Sequence, residues 1–133
     1  MEPRREFELP PDDQAFLNEY GLPWEAILDG SPWVLIHEFP THGGYVQSHV
    51  TAAIRIESGY PPAPLDMVYF HPAIRRKDGR RIGATQSTQA IDGKSFQRWS
   101  RHRTAKHPWQ PSTDNLGTHI LLVEEWLARE FES

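Results

Sequence analysis

The stretch Ser58-Gly59-Tyr60-Pro61-Pro62-Ala63-Pro64 constrains this chain more than any other. Each proline ring fixes its own φ and removes a backbone donor, so prolines at 61, 62 and 64 exclude a helix interior and a central strand alike. The chain must turn a rigid corner here. Residues 65–70 then supply the aromatic and β-branched content of a short strand, and His71-Pro72 ends it with a residue that cannot donate to a ladder. His71 is expected to cap the strand end by hydrogen bonding.

The remaining elements are read around that corner. Residues 1–11 are acidic and proline-containing, and read as a flexible arm or an edge segment, leaving 12–133 as a single domain. Asp12 or Asp13 is placed to cap a short helix running to about Tyr20, with Phe16 and Leu17 inward and Gly21 as its left-handed stop. Residues 24–28 and 33–39 read as strands about Asp29-Gly30-Ser31-Pro32, and 46–56 as a third strand, with Gly43 and Gly44 serving the turn before it. Beyond His71-Pro72 periodicity is lost until residue 97. Arg75, Arg76, Lys77, Arg80 and Arg81 flank an Asp78-Gly79 turn there, reading as a solvated loop or as a patch for an acidic partner, with Ile82 and Ile91 as anchors. The last element is a helix over 114–131, capped from Pro111-Ser112-Thr113-Asp114. Leu116, Ile120, Val123 and Leu127 recur on one face, widened by Trp126 and Phe131. The fold class is α+β: an N-terminal helix, a four-stranded antiparallel meander, an irregular loop, and a C-terminal helix packed on the sheet.

Composition narrows the chemistry. The 133 residues carry a formal charge of −4, which opposes a general nucleic-acid binder. No apolar run is long enough for a membrane span and no secretory leader is evident, so cytoplasmic residence is expected. The chain has no cysteine, which removes disulfides, thiolate zinc sites and cysteine nucleophiles together. His102 and His107 lack the helical spacing of the familiar zinc motifs and have no evident third ligand, so neither a metal nor another cofactor is expected.

The densest chemistry lies in Phe96-Gln97-Arg98-Trp99-Ser100-Arg101-His102-Arg103. Its two aromatics give the segment something to bury, which would hold Ser100 in place. A hydroxyl beside an imidazole and guanidinium groups has what acyl attack requires. His102 can take its proton, and Arg98 and Arg101 can steady an oxyanion or meet a partner. Taken alone, a serine near a histidine is more often incidental than catalytic.

Tyr60-Pro61-Pro62-Ala63-Pro64 followed by His71-Pro72-Ala73 resembles the corner and His-Pro-Asn segment of the ubiquitin-conjugating enzyme (UBC) superfamily, in a divergent prokaryotic branch lacking the catalytic cysteine. Residues 40–45 resemble that fold's Pro-Tyr-x-Gly-Gly loop, and the resemblance covers roughly residues 12–131. It implies an irregular loop that holds the active residue. It also implies a carrier step: an activating enzyme passes a ubiquitin-like modifier to this protein, which passes it to a target amine, with a deconjugating protease in the same bacterial pathway. Ala73 stands where the family's oxyanion-stabilising asparagine would be. With no cysteine the intermediate becomes an oxyester, on Ser100 if Asp92-Gly93-Lys94 and Trp109-Gln110-Pro111-Ser112 flank the active position. Aligning on Asp78-Gly79-Arg80-Arg81-Ile82 instead puts Gly83 there, with Thr85 and Ser87 close by. The competing reading is a catalytically inactive UBC-like module that binds the modifier or a partner enzyme. A nucleic-acid binder using 75–81 and 98–106 is disfavoured by the acidic balance.

Overall fold

The computed structural model describes residues 2–132. Helix α1 (Pro11–Tyr20) leads into strands β1 (Trp24–Asp29), β2 (Ser31–Pro40), β3 (His49–Arg55) and β4 (Val68–His71). The hairpin β5 (Thr88–Ile91) and β6 (Lys94–Trp99) follows, and then helix α2 (Leu116–Arg129). All strands pair antiparallel in one sheet of order β1-β2-β3-β4-β6-β5. The first four are the expected meander, so the sheet has six strands where the sequence suggested four. The stretch read as an irregular loop contains the extra two.

That hairpin turns at Asp92 and Gly93, whose φ values of 54° and 75° are those of the mirror-image turn that matches strand twist. Its strands are hard to see in the sequence because Thr88, Gln89 and Ala90 are all exposed and only Ile91, Phe96 and Trp99 are buried. Tertiary packing supplies what periodicity lacks. Ile91 and Phe96 join Ile27, Trp33, Leu35, Ala53 and Tyr69 in a core of their own, with Trp33 set edge-on to Tyr69 at 5.2 Å between rings. The larger core, on the other face, includes Val34, Ile36, Ile54, Phe70 and Trp99 beneath α1 and α2.

Both faces are covered because the sheet curls until its ends meet. Arg4 binds Glu25 of β1 through Nε at 2.9 Å and Asp92 of the hairpin tip through Nη2 at 2.7 Å. The Asp92 N–H donates to Asp29 at 2.8 Å, in the turn between β1 and β2. Beside the Arg4 guanidinium, Glu25 and Asp92 are both held below the usual carboxylate range. Arg5 bridges Ala26 in parallel, so the first residues lie along β1 as an edge segment, and Leu9 is buried.

The helices start differently from the sequence expectation. Pro10 precedes α1 with no side-chain cap, and Pro11 opens it, using a position whose N–H has no helical acceptor. Asp13 is buried and accepts from the Tyr60 hydroxyl at 2.6 Å, while the N–H of Leu116 donates to that same hydroxyl at 2.7 Å. α2 is capped by Asn115, one residue beyond the caps proposed, in a reciprocal box with Thr118. The apolar face of α2 packs as expected: Leu116, Ile120, Val123, Trp126 and Leu127 are all buried. β4 begins at Val68, three residues later than read, although Leu65 is still core. His71 Nδ1 lies 3.0 Å from the Ser95 carbonyl, capping the strand end.

Tyr60→Phe removes one oxygen and strands two buried partners, the Asp13 carboxylate and the Leu116 N–H. It should lower unfolding free energy by about 2 kcal/mol. Urea denaturation of the two proteins checks this, and an unchanged midpoint would refute the bridging role.

Candidate functional site around Ser100

β6 delivers the site because Trp99 anchors its end. The Trp99 indole is buried edge-on to Phe70 at 5.3 Å between rings and near Tyr45 at 6.2 Å. Immediately after it, the N–H of Arg101 donates to the Trp99 carbonyl at 2.9 Å, a tight three-residue turn centred on Ser100. The Ser100 N–H donates to the Ala84 carbonyl at 3.0 Å, and Arg101 Nη1 donates to the Gly83 carbonyl at 2.9 Å. The backbone of Ser100 is therefore fixed against residues 83–84. Gly83 is the position that the alternative alignment gives to the active residue, so the two candidate positions lie near each other.

The arginines flank this turn. The Arg98 N–H donates to the Ser87 carbonyl at 2.9 Å and Nη2 donates to Ser87 Oγ at 3.2 Å, while its Nε is buried without a partner. Arg101 lies over the Trp99 ring at 4.8 Å and donates from Nη2 to Glu130 at 2.9 Å. His102 turns away. Its Nδ1 lies 2.9 Å from Asp66, and among the described residues no hydrogen bond joins its ring to Ser100. Ser100 Oγ instead meets Met67 Sδ at 3.9 Å. The sequence-chosen residues are neighbours along the chain, but Arg98 turns its guanidinium to Ser87, Arg101 to Gly83 and Glu130, and His102 its imidazole to Asp66, and among the described residues none of the three side chains hydrogen-bonds Ser100 Oγ.

Three residues of this neighbourhood escaped the sequence reading. Asp66 and Met67 follow the proline corner, more than thirty positions before Ser100, and no local pattern links them to it. Met67 has a φ of 57°, uncommon for a residue with a side chain. His119 of α2 holds that conformation: Nε2 donates to the Met67 carbonyl at 2.8 Å, so Nδ1 carries the lone pair, and it is buried without a partner. Burial pushes the His119 pKa down to about 4.

With the site described, sequence comparison decides its lineage. Residues 9–130 match the family described as Prokaryotic E2 family E. The chain belongs to that family. It is thus a prokaryotic relative of the ubiquitin-conjugating (E2) enzymes, which ties it to ubiquitin-like conjugation and, in general terms, to a modifier and an activating enzyme. No curated protein and no solved structure matches it.

This E2-like chain offers concave surface on both sides of the 102–107 segment and along the basic loop. A cavity of about 380 Å³ lies between the 102–107 segment and α2, lined in part by His102, Arg103, Asp114 and Trp126. Another of about 400 Å³ lies across the same segment, against Leu65, Asp66 and Trp109. A third, of about 380 Å³, is rimmed by Arg75, Arg80 and Arg81, while Ile82 pins that loop to the core. Among the described residues no three His, Asp or Glu side chains gather as a metal site, and no helix is long and apolar enough to cross a membrane.

His119 makes stability depend on pH. Its pKa falls from 6.5 in the unfolded chain to about 4 in the fold, so the unfolded state binds the extra proton between those values. Its contribution is full above pH 6.5 and disappears as the pH falls to 4, a loss of about 3 kcal/mol. His119→Gln should flatten the fall in urea stability measured between pH 7.5 and 4.5. An identical slope would show that His119 does not titrate as the fold requires.

Proposed function

We infer that this protein is the carrier of a bacterial ubiquitin-like conjugation pathway, accepting a modifier as an oxyester on Ser100 and passing it to a target amine. One observation supports this above the rest. The only hydroxyl in the Phe96–Arg103 cluster is hydrogen-bonded through its own backbone to Ala84, next in sequence to Gly83, the position that aligning on Asp78-Gly79-Arg80-Arg81-Ile82 gives to the active residue. In this reading the end of β6 supplies the nucleophile that the loop lacks.

The chemistry follows from the neighbours. Ser100 Oγ attacks the activated C-terminal carbonyl of the modifier. A carbon–oxygen bond forms, the bond to the activating group breaks, and the hydroxyl proton passes to a base. His102 suits that role: Asp66 accepts from Nδ1–H, which leaves Nε2 to take a proton. For this step the exposed imidazole must move from its present position toward Ser100. Arg98, whose Nε has no protein partner, and Arg101 supply positive charge where the oxyanion develops. Oxyesters are less reactive toward amines than thioesters, so the transfer step depends heavily on this charge. The cytoplasm, where activating enzymes meet ATP, is the setting that fits.

The second reading, an inactive module that binds the modifier or a partner enzyme, draws on a different observation. Ser100 Oγ has Met67 Sδ, not a base, as its neighbour at 3.9 Å.

Intact mass after incubation with ATP and the activating enzyme and ubiquitin-like protein of the same genome separates the two. The carrier reading expects an alkali-labile adduct that maps to Ser100 and is absent from Ser100→Ala, which should fold normally. His102→Gln should slow loading by about 10²-fold. An adduct that persists on Ser100→Ala removes Ser100 from the mechanism, and no adduct with retained binding of the modifier leaves the module.

A further inference from the structure

The sheet treats its two edges differently. Beyond β1 lies the N-terminal segment, with Arg5 bridging Ala26, the Glu6 N–H donating to the Ala26 carbonyl at 2.7 Å and the Ala26 N–H donating to Arg4 at 3.0 Å. Beyond β5 only the tip is covered, where Arg4 and Asp29 bind Asp92, and among the described residues no backbone partner lies along Thr88–Ala90. Its register fixes which backbone groups are free. Ile91 and Lys94 flank a two-residue turn, and the Arg98 N–H donates to Ser87, so positions 87, 89 and 91 face β6. Thr88 and Ala90 present their N–H and C=O groups outward, where the Ala90 carbonyl accepts only from the Gln89 side-chain amide at 3.3 Å, and both residues are exposed.

Unprotected edges are usually blunted by charge, proline or a bulge. Thr88, Gln89, Ala90 and Ile91 carry none of these. An uncharged, regular edge left open beside a site that would receive a peptide terminus has the form of a strand-addition surface.

We propose that the outer edge of β5 binds the extended C-terminal tail of the modifier as a seventh, antiparallel strand. The occupant rests on the carrier reading; the direction rests on the strands. β5 runs away from the Ser100 end of the sheet, since Thr88 pairs with Gln97 and Ile91 with Lys94. An antiparallel tail therefore runs toward Ser87 and Ser100, with its carboxyl terminus leading. A parallel tail would deliver its terminus to Asp92 at the far tip. The tail lies two strand spacings from β6, about 10 Å, so about three extended residues beyond the last pair carry the carbonyl past Ala84 to Ser100 Oγ. Pairing through backbone groups requires no particular side chain, and the side chains of Thr88 and Gln89 add selectivity on either face.

The test uses the full chain, isotope-labelled, and a ten-residue peptide copying the C-terminal tail of the ubiquitin-like protein used in the loading experiment. Binding should slow amide exchange at Thr88 and Ala90 at least tenfold and leave Gln89 and Ile91, already paired to β6, unchanged. Ala90→Pro removes one outward donor without touching the pairing to β6, a substitution an edge strand tolerates. It should weaken peptide binding and lower the loading rate at least tenfold while the thermal midpoint stays near wild type. Unchanged binding and loading by Ala90→Pro would overturn the proposal. So would exchange protection confined to the 102–109 segment, or protection of Thr88 and Ala90 that grows with protein concentration in the absence of peptide, the sign of a second copy pairing there. Repeating the peptide experiment on Ser100→Ala separates the two claims. Protection at Thr88 and Ala90 without any adduct in the wild type upholds the edge site and sinks the carrier reading, whereas loading without that protection does the reverse.

Discussion

The hydroxyl of Tyr60 ties the molecule together. It donates to the buried carboxylate of Asp13 on α1 and accepts from the first N–H of α2 at Leu116, so a single oxygen joins both helices to the corner between β3 and β4. Burial raises the pKa of both groups, and the hydrogen bond between them raises that of Tyr60 further and opposes the rise in Asp13. The arrangement needs the corner to be rigid. Prolines at 61, 62 and 64 remove the backbone freedom that would let Tyr60 wander, and the Trp109 indole donates to the Pro61 carbonyl at 3.1 Å, packing the 102–109 segment against it. The segment that carries His102 and Arg103 thereby has one fixed end at Trp99 and another at Trp109.

A second constraint closes the sheet. Arg4, Glu25, Asp29 and Asp92 meet at one place, where the start of the chain, the first turn and the hairpin tip converge. The ion pairs are partly exposed, and pairs of that kind are individually worth little. The larger stabilisation comes from what the closure covers: Trp33, Leu35, Tyr69 and Phe96 are almost wholly buried, at roughly 2 kcal/mol each. The charges set the register of the closure, and the aromatic core supplies its energy. Because β6 belongs to both cores, with Phe96 on one face and Trp99 on the other, the turn at Ser100 is held from two directions.

This architecture sets the candidate site of a chain without cysteine at the meeting of a loop and a hairpin. The loop after His71-Pro72 brings Gly83 and Ala84, which have no reactive side chain, against the end of β6. The hairpin then returns and sets Ser100 beside them. His119 stabilises the neighbourhood from beneath through the Met67 carbonyl, and Asp66, next in sequence to Met67, orients His102. Two consecutive residues of one short segment thus organise both the floor and the imidazole of the site.

The sequence by itself determined the corner, the first four strands, the two helices and the family, because prolines, glycines and a wide apolar helix face act locally and leave a local signature. Ser100, Arg98 and Arg101 were legible as a cluster for the same reason: they are adjacent, and two aromatics announce that the segment is held. Tertiary structure alone decided the hairpin at residues 88–99, whose outer strand is too polar to show a period of two. It also decided that His102 faces Asp66 and that Met67 sits between Ser100 and His119. Those partners are separated by 33 to 52 positions, and only the curl of the sheet brings them within hydrogen-bond or van der Waals reach.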